Sequence, residues 1–232
     1  MTVEDYKNGQ LILIDKPLEW TSFQVVNKVR WLIRKQFNLK KIKVGHAGTL
    51  DPLATGLLIL CVGKFTKQIE TYQAQHKEYT GTITVGSTTP SYDLETAIDQ
   101  TFDISGITEK QLHEATHQFI GEIQQRPPVF SALKKEGKRL YEYARAGEAV
   151  EIPTRAIHIS EFEITNIELP NVSFRVACGK GTYIRSLAHD FGKALDNGAH
   201  LSTLRRTKIG DFSVINALSI EAFEIHLKST SS

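Results

Sequence analysis

The sequence predicts an α+β fold in which helices flank a central mixed or antiparallel sheet. The chain has 232 residues, 41% of them hydrophobic, which is enough for one well-formed core. Strand patterns and helix patterns follow one another in irregular order rather than as strict strand–helix repeats. This order favours α+β over a parallel α/β sheet.

The helices are predicted from apolar residues at helical spacing and from capping residues. Residues 21–37 carry Phe23, Val26, Val29 and Ile33 near one face, behind a cap at Thr21 or Ser22. Residues 108–123 begin with a Thr108/Gln111 capping box. Two further helices are predicted at 65–75 and 182–195.

The strands are predicted from short apolar runs and from alternating patterns. Residues 11–15 form a run that ends before Pro17, and 57–62, "LLILCV", is apolar throughout, as in a strand buried on both faces. The other predicted strands are 77–86, 156–169, 171–181 and 198–214. Between 127 and 152 a Pro pair and a basic, Gly-punctuated stretch predict an excursion from the core.

The cysteines and the hydropathy pattern bear on location. Cys61 and Cys178 both lie in strand-like settings, which favours buried thiols in a reducing cytoplasm. We expect no membrane span, because no apolar run reaches about 18 residues. The polar and acidic N-terminus does not resemble a signal peptide.

Positive charge is concentrated in two segments of a chain whose net charge is only +2. Residues 28–43 contain seven Lys and Arg and no acid, and 126–145 contain six against two acids. Two basic surfaces favour a polyanionic partner. The alternative is that both are ordinary solvated faces.

"HEATH", residues 113–117, matches the H-E-x-x-H zinc pattern. On a helix it would place His113 and His117 one turn apart, with Glu114 as a base. The context argues against zinc, because no third ligand follows at a suitable spacing and both histidines fall near the polar side of the helix. A zinc-dependent hydrolase nevertheless stays as a rival hypothesis, which metal analysis of the purified protein would test.

"GHAGTLDPLATG", residues 45–56, sets a single acid, Asp51, in a loop of small residues before the apolar strand. It is neither a Walker A loop nor a dinucleotide loop, since the required Gly and Lys spacing is missing. The chemistry alone leaves a structural turn and a catalytic acid equally open. Lys16, Tyr79 and Arg185 also lie at the ends of predicted elements, where sites are usually built.

Six segments resemble, in the same order, the bacterial tRNA pseudouridine synthases that modify the uridine at nucleotide 55 of the T-loop. They are "LILIDKP", "GHAGTLDPLATGLLILCVG", "KEYTGTITVG", "SALKKEGKRLYEYARAGE", "CGKGTYIRSLAHDFG" and "GAHLSTLRRTKIG", and the resemblance covers roughly residues 10 to 215. It implies a pseudouridine synthase fold, a single catalytic domain over 1–232, and an RNA-clasping thumb at 127–152.

The resemblance also implies the site. Asp51 would be the catalytic nucleophile, Arg185 its partner, and Tyr79 the ring that stacks on the extracted uracil. His46 would fill the space that the target nucleotide leaves. The implied substrate-binding residues are Tyr183, Leu204, Lys16, Thr49, Lys134, Lys135, Lys138 and Arg139.

Two departures from the family pattern stand out. Many bacterial members run about a third longer, with a C-terminal PUA-type RNA-binding domain that we do not expect here. The family's T-D-T-x-D segment is also altered, since "STTPSYDLET" keeps Thr89 and Asp93 but has Pro90 in place of the first acid.

The resemblance therefore implies an isomerase that acts on the T-arm of tRNA. We expect a monomer with no cofactor, no metal and no obligate protein partner. A non-catalytic RNA-binding or RNA-folding protein that uses the same surface is the second rival, and only an activity assay would distinguish it.

Overall fold

The computed structural model describes residues 2–131, 133–135, 137–148 and 150–229, and side chains at 134, 144 and 145 are not described. The helices are α1 Val3–Asn8, α2 Ser22–Gln36, α3 Ile69–Ala74, α4 Glu109–His117, α5 Leu140–Arg145, α6 Ile184–Ala194 and α7 Ile220–Ser229. The strands are β1 Gln10–Lys16, β2 Val44–His46, β3 Ala54–Val62, β4 Lys77–Val85, β5 Ser87–Thr88, β6 Gln100–Thr101, β7 Gly121–Gln125, β8 Lys134–Lys135, β9 Lys138–Arg139, β10 Arg155–Glu168, β11 Asn171–Cys178, β12 Ala199–Ile209 and β13 Phe212–Ser213.

The chain forms two compact units, one of residues 1–79 and 204–232, the other of residues 80–203. Strands β4 and β12 each run from one unit into the other. The expected α+β fold with a mixed sheet is confirmed. Strand β12 runs parallel to β3, whereas β3 is antiparallel to β1 and β2, β10 is antiparallel to β7 and β11, and β12 is antiparallel to β13. The prediction of a single catalytic domain stays a prediction.

The first unit is built around β3, which pairs with β1, β2 and β12. Alternate β3 side chains enter two cores: Leu58, Leu60 and Val62 face helices α1, α2 and α7, and Leu57 and Ile59 pack on the opposite face. Burial on both faces explains why the run is apolar throughout rather than alternating.

Helix α2 begins where the sequence predicts, but its buried face differs. The Thr21 side chain accepts from the Gln24 N–H in a capping box. Val25, Val26, Val29 and Ile33 are buried, whereas Phe23 is 64% exposed. The prediction that Phe23 lies on the core face was wrong because Val25 takes that place.

The second unit pairs β7, β10 and β11 in antiparallel register. Phe162 of β10 forms the centre of its aromatic core, with the rings of Phe119, Phe174 and Phe191 at centroid distances of 6.1, 6.0 and 5.7 Å. Cys61 in the first unit and Cys178 in the second are both buried cysteines, as predicted.

The predicted helix 108–123 was wrong in its second half. The Thr108/Gln111 capping box is present, but α4 ends at His117 and residues 121–125 form β7. Gly121, with φ of +99°, stands at the change from helix to strand and adopts this left-handed conformation without strain. Helices α1 and α7 were not predicted, since both are short or lie beyond the recognised segments.

Candidate active site

The Asp51 loop, residues 47–53, connects β2 to β3 in the first unit. Ser22, the buried first residue of α2, donates to the Leu50 carbonyl (3.1 Å) and accepts from the Leu50 N–H (2.8 Å). The Ala54 N–H donates to the Asp51 carbonyl at 3.1 Å. The backbone is therefore held on both sides of the acid, and residues Asp51 to Ala54 form a hydrogen-bonded turn.

Lys16 holds the same loop from the end of β1. Its side chain is fully buried, and Nζ donates to the carbonyls of Pro17 (2.9 Å), Trp20 (2.5 Å) and Pro52 (3.3 Å). Burial lowers the pKa of Lys16 to about 8, and the negative charge of Asp51 opposes that shift. Lys16 is thus an electrostatic neighbour of Asp51 that joins the loop at Pro52 to the β1–α2 connection at Pro17 and Trp20. Its predicted contact with substrate stays a prediction.

Arg206, on β12, is a third anchor that the sequence reasoning missed. Only 1% of the residue is exposed, and its guanidinium donates to the carbonyls of Leu57 (2.8 Å), Gly48 (3.1 Å) and Thr49 (3.4 Å). The signal was the doubled arginine in a predicted strand, because successive side chains point to opposite faces and one of the two must turn inward.

Gly56 lets β12 come close enough for this arrangement. A Cβ atom at Gly56 would lie 2.3 Å from the Arg206 carbonyl oxygen, and its φ is +103°. Neither condition tolerates a side chain. The small residues of the motif are therefore partly explained by the close packing of β3 on β12.

Three other predicted residues belong to the same unit. Leu204 of β12 stands in register with Ala54, three residues after Asp51. Thr49 is exposed on the loop, which suits a contact with substrate. Tyr79 lies on β4 and is largely buried, and its predicted stacking on uracil stays a prediction.

His46 is the last residue of β2 and is half-buried. Burial, and next the positive charge of Arg206, lower its pKa below the ordinary value. A neutral imidazole at this position is compatible with the predicted role of filling space, which stays a prediction.

Arg185 lies in the first turn of α6 in the second unit, as the sequence predicts, and is buried. Its Nε is 3.6 Å from Oδ2 of Asp93, which is also buried, and its NH1 donates to the Ser91 carbonyl at 3.4 Å. Asp93, whose role could not be assigned from the altered T-D-T-x-D segment, is therefore the acidic partner of Arg185 within this unit. The predicted pairing of Arg185 with Asp51 stays a prediction.

Tyr183 caps the N-terminus of α6. Its N–H donates to Oε1 of Gln125 (2.8 Å), and its carbonyl accepts from Nε2 of the same side chain (3.0 Å). The guanidinium of Arg155 lies 4.7 Å from the centre of its ring. These contacts fix the tyrosine next to Arg185, although its role in lining a pocket stays a prediction.

The thumb carries its predicted RNA-binding residues on one hairpin. Strands β8 and β9 pair Lys134 with Arg139 and Lys135 with Lys138. Lys138 forms an ion pair with Glu148 at 3.1 Å, and Lys135 donates to the Glu151 carbonyl at 3.0 Å. The Lys134 side chain and residues 132, 136 and 149 of the thumb lie outside the described part of the structure.

His113 and His117 are both exposed on α4, as expected for its polar side. Glu114 between them is 3.6 Å from Lys110. Among the residues that the structure describes, no group of three or more His, Cys, Asp and Glu is arranged to hold a metal ion. In the same part of the chain, no helix is both long and apolar enough to cross a membrane.

Proteins of known sequence resemble this chain over almost its whole length. A relative from Flavobacterium johnsoniae is 62% identical over 229 residues, which cover 98% of this chain and all of the relative. A relative from Phocaeicola vulgatus is 53% identical over 94% of this chain and 93% of its own length. Both are named tRNA pseudouridine synthase B.

Solved structures resemble the fold. A Cbf5–Nop10–Gar1 complex contains a chain that is 30% identical, with a TM-score of 0.70. An H/ACA ribonucleoprotein bound to a substrate RNA containing 2′-deoxyuridine contains one that is 29% identical, with a TM-score of 0.69. This chain is covered to 97% in both comparisons and spans 57% and 55% of those chains.

Two family models account for most of the sequence. Residues 34–184 match the N-terminal domain of the TruB family pseudouridylate synthases, and residues 185–230 match the C-terminal domain of tRNA pseudouridylate synthase B. The first match contains Asp51 and the second begins at Arg185. The chain therefore belongs to the TruB family of pseudouridine synthases, isomerases that act on uridine in RNA.

Proposed function

We propose that the protein converts the T-loop uridine at nucleotide 55 of tRNA to pseudouridine, with Asp51 as the nucleophile. The observation that carries this proposal is the anchoring of the Asp51 loop by buried Lys16, Ser22 and Arg206 in a member of this family. Three anchors on one short loop are what a reacting group needs, since small displacements of a nucleophile reduce rates strongly. The names of the relatives support tRNA as the substrate.

The reaction breaks the bond between C1′ and N1, turns the uracil, and joins C5 to C1′, while C5 loses its proton and N1 gains one. The isomerisation needs no external oxidant or reductant and transfers no phosphate, so the proposal includes no cofactor. A carboxylate can act by forming a covalent intermediate. Attack at C6 of the base, attack at C1′ of the sugar, and assistance to a glycal intermediate all fit an aspartate, and all three stay open.

Arg185 is the proposed partner of Asp51 in the reacting complex. A nearby cation keeps a desolvated carboxylate ionised, and a guanidinium also fixes its direction. In its own unit Arg185 is oriented by Asp93 and by the Ser91 carbonyl. The proposal therefore extends to Asp93, which would position Arg185 rather than touch the substrate.

The target uridine must leave the folded T-loop before it reacts, at a cost of a few kcal/mol. Stacking on Tyr79 would return about 1–3 kcal/mol, while His46 would fill the vacated space and Tyr183, Leu204 and Thr49 would line the base pocket. The thumb and the basic segment 28–43 would hold phosphates. We propose that the enzyme does this in the cytoplasm as a monomer.

The test is incubation with unmodified tRNA and with a T-arm hairpin, followed by mapping of pseudouridine as carbodiimide-dependent stops of reverse transcription. We expect one stop, at the T-loop uridine, in both RNAs. A transcript with cytidine at that position is the control and should give none. Modification only of anticodon-arm uridines would contradict the substrate assignment.

Arg185→Lys tests the proposed partner, because lysine keeps the charge but lacks the planar fork. We expect a large loss of single-turnover rate with a smaller change in tRNA affinity, the pattern of an interaction made chiefly in the transition state. Equal losses in affinity and rate would make Arg185 an RNA contact instead.

A further inference from the structure

Tyr92 and His189 form a stacked ring pair in the second unit. Their ring centroids are 3.8 Å apart and their planes differ by 11°. Both residues are half-buried. Stacking of this kind stabilises a contact beyond the area it buries.

This stack lies beside the Arg185–Asp93 pair on both elements that form it. Tyr92 directly precedes Asp93 in the turn of residues 89–96, and His189 follows Arg185 by four residues, on the same face of α6. The turn is therefore joined to the helix by the Arg185–Asp93 ion pair at 3.6 Å, by the Arg185–Ser91 hydrogen bond at 3.4 Å and by the ring stack at 3.8 Å.

The backbone at Tyr92 is strained, and the ring stack helps to hold it in place. Its φ is +65°, in the left-handed region that bulky residues rarely adopt. Two backbone hydrogen bonds of Tyr92 itself offset this strain. Its N–H donates to the Thr89 carbonyl (3.1 Å), and its carbonyl accepts from the Leu201 N–H (2.9 Å). The ring contact adds the side-chain restraint that aims the next residue, Asp93, at α6.

Both rings are neutral at neutral pH. Burial, with a further contribution from Lys193 and against one from Asp99, lowers the pKa of His189 to about 4. Burial, followed by the charge of Asp190, raises the pKa of Tyr92. The pair therefore acts as two packed aromatic faces rather than as a charged contact.

We propose that the Tyr92–His189 stack is a positioning device that holds the Arg185 guanidinium in its reactive orientation by fixing Asp93. It rests on the proposed function of Arg185. Tyr92 and His189 are positioning residues in this proposal and touch neither the uridine nor Asp51.

The test compares His189→Ala and Tyr92→Ala with His189→Phe and Tyr92→Phe, which keep an aromatic ring. Melting temperature, tRNA affinity and single-turnover rate at saturating tRNA are measured for each at pH 7.5. We expect the alanine variants to react about tenfold more slowly, a factor that corresponds to roughly 1.4 kcal/mol, with affinity within about twofold of wild type. The phenylalanine variants should recover the rate to within about twofold.

Phe119→Ala is the control for a purely structural effect, because Phe119 makes an edge-to-face contact with Phe162 in the core of the same unit. It should lower the melting temperature without slowing saturated single turnover. Where an alanine variant does not fold, His189→Leu replaces it, since leucine keeps volume but not the ring. Normal saturated rates in the variants without a ring pair, or phenylalanine variants as slow as the alanine ones, would overturn the proposal.

A double-mutant cycle tests whether the stack acts through Asp93. His189→Ala should slow the Asp93→Asn enzyme by much less than tenfold, because the path to Arg185 is already broken. Additive losses would overturn the proposal. Arg185→Ala is measured in parallel: a normal rate for that variant would refute the proposed function of Arg185 itself, a result distinct from failure of the stack.

Discussion

The Asp51 loop and the thumb hairpin, residues 134–139, are both predicted to handle RNA, yet they are built in opposite ways. The loop is held by Lys16, Ser22 and Arg206, all buried, which donate to or accept from its backbone. The hairpin consists of two strands of two residues each. Its described side-chain contacts are local, such as the ion pair of Lys138 with Glu148. The difference teaches that a reacting group needs a fixed backbone, whereas phosphate contacts need charge and adaptability.

Asp51→Asn gives the largest expected loss of reaction rate and tests the predicted role of the Asp51 loop. The substitution keeps size and polarity but removes the nucleophile's charge. Pseudouridine formation should fall below detection in single-turnover assays, while filter binding should retain tRNA affinity because phosphate contacts dominate it. Asp211→Asn, an exposed acid in the same unit, is the matched control and should react normally. A near-normal rate for Asp51→Asn would reduce Asp51 to a turn residue.

Lys16→Met should give the next largest effect. It removes the donor to three partly buried carbonyls. The Pro52 carbonyl still accepts from the Glu19 N–H at 2.8 Å, whereas the carbonyls of Pro17 and Trp20 lose this partner, which costs about 1–3 kcal/mol per unsatisfied group. We expect a lower free energy of unfolding in urea and a fall of about 10- to 100-fold in single-turnover rate. Lys64→Met, on the surface of the same unit with one bond to Asn8, is the control and should change neither. If Lys16→Met binds tRNA poorly but reacts normally when saturated, Lys16 contacts substrate directly.

Neutralising the cations of the thumb hairpin tests its predicted role in binding phosphates. With Lys134, Lys135, Lys138 and Arg139 all changed to Gln, binding should weaken, and the slope of log affinity against log salt should decrease by up to about 3–4. The single-turnover rate at saturating tRNA should change little, because phosphate contacts bind and position the RNA rather than take part in the chemical step. A variant in which four exposed lysines elsewhere, Lys7, Lys64, Lys110 and Lys193, are changed to Gln removes the same number of charges and is the control for net charge. An unchanged slope would remove the thumb from the RNA interface.

The smallest expected effect is the pH dependence of folding stability. It arises from His46 and His189 outside the thumb, since residues 127–152 contain no histidine. Burial lowers the pKa of His189 to about 4 and lowers that of His46 as well. Below the ordinary value of about 6.5 the unfolded chain therefore binds protons that the folded chain does not, so stability falls as pH falls toward 4. Urea unfolding at pH 7.5 and 5.0 should show this loss, and His189→Phe should reduce it. An identical pH dependence in that variant would contradict the assignment.

Local patterns were sufficient for several features of this protein. The capping box at Thr108, the run of β3 and the strands β10 and β11 are determined by neighbouring residues, and all were predicted. Thr21 was one of the two caps predicted for α2. The position of Arg185 in the first turn of α6 also follows from local sequence. The order of motifs identified the family, because such a set rarely arises by chance.

Only the tertiary structure decided which side chains serve the site. In the sequence alone, Arg206 is an ordinary cation in a strand and Ser22 is a candidate helix cap. Asp93 is the remaining acid of an altered motif. Their roles arise from contacts across 28 to more than 150 positions of sequence, such as Ser22 with Leu50, Arg185 with Asp93 and Arg206 with Gly48. The helix predicted over 108–123 failed for the same reason: pairing of β7 with β10 outweighed local helical spacing. Sequence determines local conformation through short-range sterics and hydrogen bonds, whereas burial and long-range partners exist only once the chain has folded.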